Sequence, residues 1–165
     1  MKTLYFVRHG KATDSSRDTK DFDRYLTEKG ERHTRLMGSF LKEKSVLPDY
    51  VVTSPAKRTL NTSLILCNEI GFPIDKIDQV YDIYEAYLKD ILDVIYQIDN
   101  THNSAMLFGH NPSLVETVSY LGNEYFERFS KGAVACLQFN CDNWKQITQH
   151  SGTIAFYETP KNLDK

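Results

Sequence analysis

Cysteine is scarce in this chain and unpaired in pattern: three in 165 residues, at Cys67, Cys136 and Cys141, with no CxxC spacing. That excludes a disulfide framework. With no signal peptide ahead of them, it sets the expectation of reduced thiols in a cytoplasm. Long apolar runs are also missing. The longest fall far short of the ~20 residues of a bilayer span, so no membrane role is expected. Nor is there an excess of positive charge. Twenty Lys and Arg stand against twenty-two Asp and Glu, a formal net charge of −2, which removes the broad basic field of a nucleic-acid binder. An anion would have to be captured locally. No repeat, low-complexity tract or Pro/Gly/Ser-rich linker divides the chain, and its length suits one domain over residues 1–165. A GxxxxGK phosphate loop is absent, and His33, His102 and His150 show no metal-ligand spacing with one another or with the cysteines.

What is present is an alternation of short unbroken apolar runs with longer amphipathic stretches, the pattern of βαβ units around a parallel sheet covered on both faces. Strands are predicted at 3–7, 50–53, 105–108, 133–139 and 153–157, with a weaker extended piece at 79–84. Helices are predicted at 28–44, 56–70 and 88–98, with a fourth opened by Asn111-Pro112-Ser113 and striped by Leu114, Val118 and Leu121. Residues 12–23 are polar without a period and are expected to form a surface loop able to cover a site. Those after Glu158 are expected to be a loose tail.

In a parallel sheet, residues that directly follow successive strands gather at the carboxyl edge, where α/β proteins bind ligands. Three such segments here carry cations or imidazoles: Arg8-His9-Gly10, then Ser54-Pro55-Ala56-Lys57-Arg58, then Gly109-His110-Asn111-Pro112. Two arginines and two histidines therefore converge from distant positions. A neutral imidazole can attack phosphorus when its other nitrogen is fixed by a hydrogen bond, and nearby guanidiniums lower its pKa. His9 is the candidate nucleophile. Arg8 and Arg58 would fork onto the phosphoryl oxygens and His110 would supply a further donor. Ser54 reads as a helix N-cap.

These residues, with Thr59 and Thr62 following Arg58, strongly resemble the histidine phosphatase superfamily, which includes the phosphoglycerate mutases. Lys11-Ala12, Asp23-Arg24 before Leu26-Thr27-Glu28-Lys29-Gly30, and the Asn-Pro after His110 look like its SixA-type phosphohistidine phosphatases. The resemblance implies a three-layer α/β sandwich, a mainly parallel mixed sheet with helices on both faces in the phosphoglycerate mutase-like arrangement. It also implies a phosphohistidine intermediate on His9, a phosphate pocket of Arg8, Arg58 and His110, and no metal or other cofactor. Many members have Pro where this chain has Tyr25. Glu85 sits where the mutase-like branch places a proton donor; its other reading is a charge complement to the helix at 88–98. The family pattern brings Arg24 to the pocket mouth; its other reading is a free surface residue.

The expected function is a metal-independent phosphatase acting on phosphohistidine of a phosphorylated protein. A phosphatase of small phosphate esters, such as sugar or nucleotide derivatives, is the alternative, and a phosphate-binding module without turnover is a second. Mutase activity is disfavoured, because the long arginine-bearing insertion that the mutases use is absent.

Overall fold

The computed structural model describes residues 1–165. Its centre is a six-stranded sheet of β1 (Lys2–Arg8), β2 (Tyr50–Thr53), β3 (Asp78–Gln79), β4 (Ser104–Gly109), β5 (Val134–Phe139) and β6 (Gly152–Glu158), in the spatial order β3-β2-β4-β1-β5-β6. The four strands from β3 to β1 run parallel, whereas β5 is antiparallel to β1 and β6 to β5. Five helices complete the fold: α1 (Glu28–Glu43), α2 (Lys57–Ile70), α3 (Leu88–Tyr96), α4 (Ser113–Leu121) and α5 (Pro160–Leu163). The expected mixed α/β architecture is what forms.

The period of two along the central strands explains why they read as continuous apolar runs. Leu4 and Phe6 of β1 and Ala105 and Leu107 of β4 pack on one face, with Ile91 and Ile95 of α3 and Leu114 and Val118 of α4. Val7, Met106 and Phe108 point to the other face, against Met37 and Leu41 of α1 and Leu66 and Cys67 of α2. Both faces are buried, so alternation changes the side of the core and not the polarity. Helix α1 starts where Thr27 Oγ1 accepts from Gly30 N at 3.0 Å, a side-chain cap for an otherwise free amide. Gly30 is required there, because a Cβ would overlap the Lys11 carbonyl.

Three elements differ from the sequence-based expectation. Residues 79–84 are strand only at their start; Tyr81–Ile83 turn into a 3-10 helix that drops Ile83 into the core. The third helix ends at Tyr96, and Ile98 is buried from the turn beyond it. The closing residues are not a loose tail. Thr159 caps α5, Pro160 occupies its first position, and Asp164 takes Arg32 at 2.7 Å and His33 at 2.9 Å on α1. No helix is long and apolar enough to cross a membrane, and the three cysteines are free thiols.

Candidate active site

Register builds the site. Arg8 pairs with Gly109 across β1–β4 and Thr53 with Phe108 across β2–β4, so the next residues, His9, Ser54 and His110, leave the sheet side by side. His9 N donates to Gly109 O at 3.3 Å and Ser54 N to Phe108 O at 3.1 Å, prolonging the ladder past the strand ends. The rings of His9 and His110 lie 5.3 Å apart. His9, Arg58 and His110 are 5, 6 and 7 % exposed, values that place these polar groups in the interior.

His9 Nδ1 lies 2.8 Å from the Gly10 carbonyl. A carbonyl can only accept, so Nδ1 carries the proton and Nε2 keeps its lone pair. Gly10 is held in turn, its N–H donating to Thr62 Oγ1 at 3.1 Å while that hydroxyl donates to Arg58 O at 2.7 Å. The His9 pKa is lowered to about 3, chiefly by burial; His110, Arg58 and Arg8 push the same way against the Gly10 bond. Neutrality therefore owes more to desolvation than to the nearby guanidiniums expected from the sequence.

His110 has the opposite tautomer. Arg58 Nη2, which can only donate, lies 3.4 Å from its Nδ1, and Nε2 donates to Ser54 Oγ at 2.8 Å, with Thr59 Oγ1 at 3.3 Å. Its pKa is lowered to about 4 by burial first and by Arg58 next. Nδ1 becomes a donor once the ring takes up a proton, a change that an approaching dianion favours. Ser54 is not the α2 cap, a place taken by Ala56. Its hydroxyl accepts from Ala56 N at 3.2 Å and fixes the His110 ring.

Three buried side-chain polar atoms in the chain lack a hydrogen-bond partner: Arg8 Nε, Arg58 Nε and Asn111 Oδ1. All three belong to the segments at the carboxyl edge. Arg8 Nη1 and Asn111 Nδ2 both donate to the Phe129 carbonyl at 3.0 Å, which anchors one end of each side chain. A buried donor without an acceptor costs about 1–3 kcal/mol or more when charged. Two such guanidinium donors beside a free imidazole lone pair suit a tetrahedral anion.

Asp21 joins the site without any motif to mark it in the sequence. It lies on the 3-10 turn Asp21–Asp23 inside the 12–23 loop. Arg58 Nη1 donates to its carbonyl at 2.7 Å and Nη2 to its Oδ2 at 3.2 Å. Tyr84 Oη donates to the same Oδ2 at 2.7 Å, and Arg24 Nη1 to Oδ1 at 3.0 Å. Against the upward pull of desolvation, the bonds from Tyr84 and Arg24 and the Arg58 charge hold the carboxyl at about 2. The ring of Tyr84 also stands edge-on to His110 at 5.6 Å.

Arg24 is thus neither free nor directly paired with the strand-end residues. It braces the loop through Thr13 O at 2.6 Å and meets the site through Asp21. Glu85 is exposed, holds a left-handed φ of 55°, and lines a cavity of about 250 Å³ together with His110 and Asn111. At the start of α3, Asp90 Oδ2 accepts from Tyr87 N at 2.8 Å, so that helix end already has an acidic cap of its own. No three His, Cys, Asp or Glu side chains gather as a metal site.

The family model for the histidine phosphatase superfamily (branch 1) matches residues 4–131, a span that includes every residue of the site. The fold superposes on a protein histidine phosphatase SixA complexed with tungstate, at a TM-score of 0.84 and 22% identity over 98% of this chain and 99% of that one. A candidate phosphohistidine phosphatase SixA from Agrobacterium tumefaciens gives 0.80 and 23% over 96% and 98%. Sequence relatives match over a shorter stretch. A 2,3-bisphosphoglycerate-dependent phosphoglycerate mutase of Bifidobacterium longum is 42% identical over 64 residues, 38% of this chain and 26% of the mutase. An uncharacterized protein of Picosynechococcus is 41% identical over 63 residues, 38% of each chain. The chain therefore spans well under half the length of the curated relatives it matches. With the family model covering more than three-quarters of it, the chain belongs to the histidine phosphatase superfamily.

Proposed function

We propose that this protein is a phosphatase that passes a phosphoryl group to His9 Nε2 and then to water, with phosphohistidine on a protein as its substrate. The observation that carries this is the His9–Gly10 bond, which leaves a buried, neutral ring with one lone pair beside two guanidiniums that have donors to spare. Arg8 and Arg58 would hold the equatorial oxygens, where charge is spread in the transition state, and His110 would join them on taking up a proton. The pocket requires no metal in this scheme.

The substrate class follows from proton accounting. An alkoxide leaving group needs a proton at the moment it departs. A phosphohistidine ring protonated on its second nitrogen does not: the P–N bond breaks, the pair stays on nitrogen, and neutral imidazole leaves. His9 then carries the phosphoryl on Nε2 and keeps its Nδ1 proton on Gly10 O. Attack of water on phosphorus breaks that bond, frees neutral His9 and releases dihydrogen phosphate, with no general acid required. The relation to SixA structures supports the same class.

Glu85 favours a second reading, hydrolysis of small phosphate esters, because it lines a cavity together with His110. Steady-state rates with a phosphohistidine peptide and with an alkyl phosphate, for the wild type and Glu85→Gln, separate the two. We expect the peptide to be the better substrate and the variant to retain its peptide activity. An alkyl phosphate turned over faster, with a loss of about 10²-fold or more in Glu85→Gln, would establish the ester reading instead.

A further inference from the structure

An anion pocket is a poor place for a carboxylate, yet Asp21 sits directly on Arg58. Its position is built and not incidental: four hydrogen bonds from three side chains fix its carbonyl and both carboxylate oxygens. It remains ionised at any ordinary pH, so it cannot give a proton to a leaving group. Instead it lowers the net positive charge around the two arginines, which weakens the hold on any phosphate whose remaining part is neutral or negative. Such a residue is of use where the substrate brings a positive charge of its own.

From this geometry we propose that Asp21 is the specificity-determining residue for phosphoramidates, its carboxylate receiving the N–H of the protonated leaving imidazole. The inference rests on the phosphohistidine reading above. A carboxylate offers about four lone-pair positions. Tyr84, Arg58 and Arg24 occupy three of them, and the side chain is 46% exposed, so one acceptor position remains and solvent reaches the group. The chemistry mirrors what Gly10 O does for His9. In each half of the transfer, an acceptor on the non-reacting nitrogen keeps that ring protonated while phosphorus leaves the other nitrogen. The pair of electrons from the broken P–N bond stays on the departing ring, and no proton crosses. An ester has no such N–H, so against an ester the same carboxylate is only a competing anion at Arg58.

Opposite effects on two substrates are therefore expected of one change. Asp21→Asn should lower kcat/KM for a phosphohistidine peptide by about 10- to 100-fold, the range of a lost charge-assisted hydrogen bond. It should also lower KM for p-nitrophenyl phosphate, and Asp21→Glu should recover much of the peptide activity. Equal losses on both substrates, or an Asp21→Glu variant as poor as Asp21→Asn, would show that Asp21 merely positions Arg58 and would overturn the inference while leaving the phosphohistidine reading standing. If instead the wild type forms the His9 adduct from p-nitrophenyl phosphate but does not turn over the peptide, the substrate reading fails and takes this one with it.

Discussion

Strand β1 carries a cation near each end, one buried and one half-buried, and the two are treated differently. Lys2, at the amino end, is 1% exposed; its ammonium donates to Asn100 O at 2.8 Å, His102 O at 2.7 Å and Asn103 Oδ1 at 3.2 Å, and lies 5.1 Å from the centre of the Trp144 ring. Three donors meet three acceptors. Arg8, at the carboxyl end, has one nitrogen on Phe129 O and a buried Nε with no acceptor at all. A satisfied buried charge belongs to the fold, whereas a guanidinium with a buried donor left short of a partner suits a ligand. The same sheet thus spends its polar groups on stability at one edge and holds them in reserve at the other.

That contrast can be broken by making the same substitution at both ends. Arg8→Met should reduce kcat/KM by about 10²–10³-fold or more, as loss of a pre-aimed donor does, while thermal stability stays within about 1 kcal/mol because an unsatisfied buried donor is removed with the charge. Lys2→Met should do the reverse. Two backbone carbonyls and an Asn side chain lose an ammonium partner, for a destabilisation of about 2–4 kcal/mol, or a fall in Tm of roughly 5–15 °C for a chain of this size. Activity at a temperature where the variant stays folded should be unchanged. Paired calorimetry and kinetics check both, and an inactive but stable Lys2→Met would dissolve the distinction.

The comparison also shows what a sequence can disclose. Runs such as Leu4 to Val7 and Ala105 to Phe108 are legible because both faces are buried, and the rule that parallel strands end at one edge is enough to bring Arg8, His9, Arg58 and His110 together. Residues 79–84 misled because Val80 and Ile83 are apolar for reasons of core contact, while the backbone between them turns. The end of the chain offered a usable signal in Thr159-Pro160, a cap followed by a helix-starting proline. What ties it down, Asp164 on Arg32 and His33, is contact across more than 130 residues, which local pattern does not carry. Asp21 was hidden for the same reason. It is one acid among several in an aperiodic loop, and its partners Arg58 and Tyr84 come from separate elements. Phe129 contributes a backbone carbonyl, a group identical in every residue and so silent in sequence.

On the reading proposed above, the lone pair left on His9 Nε2 takes up phosphorus. Rapid quench of the enzyme with a phosphohistidine peptide carrying labelled phosphate, followed by mapping of the labelled residue, tests it directly. An acid-labile, alkali-stable adduct on His9, formed and discharged at rates that account for turnover, is the predicted result, with activity in His9→Ala reduced by about 10⁴-fold or more. Full turnover in His9→Ala, or label that settles on any other residue, would contradict the account.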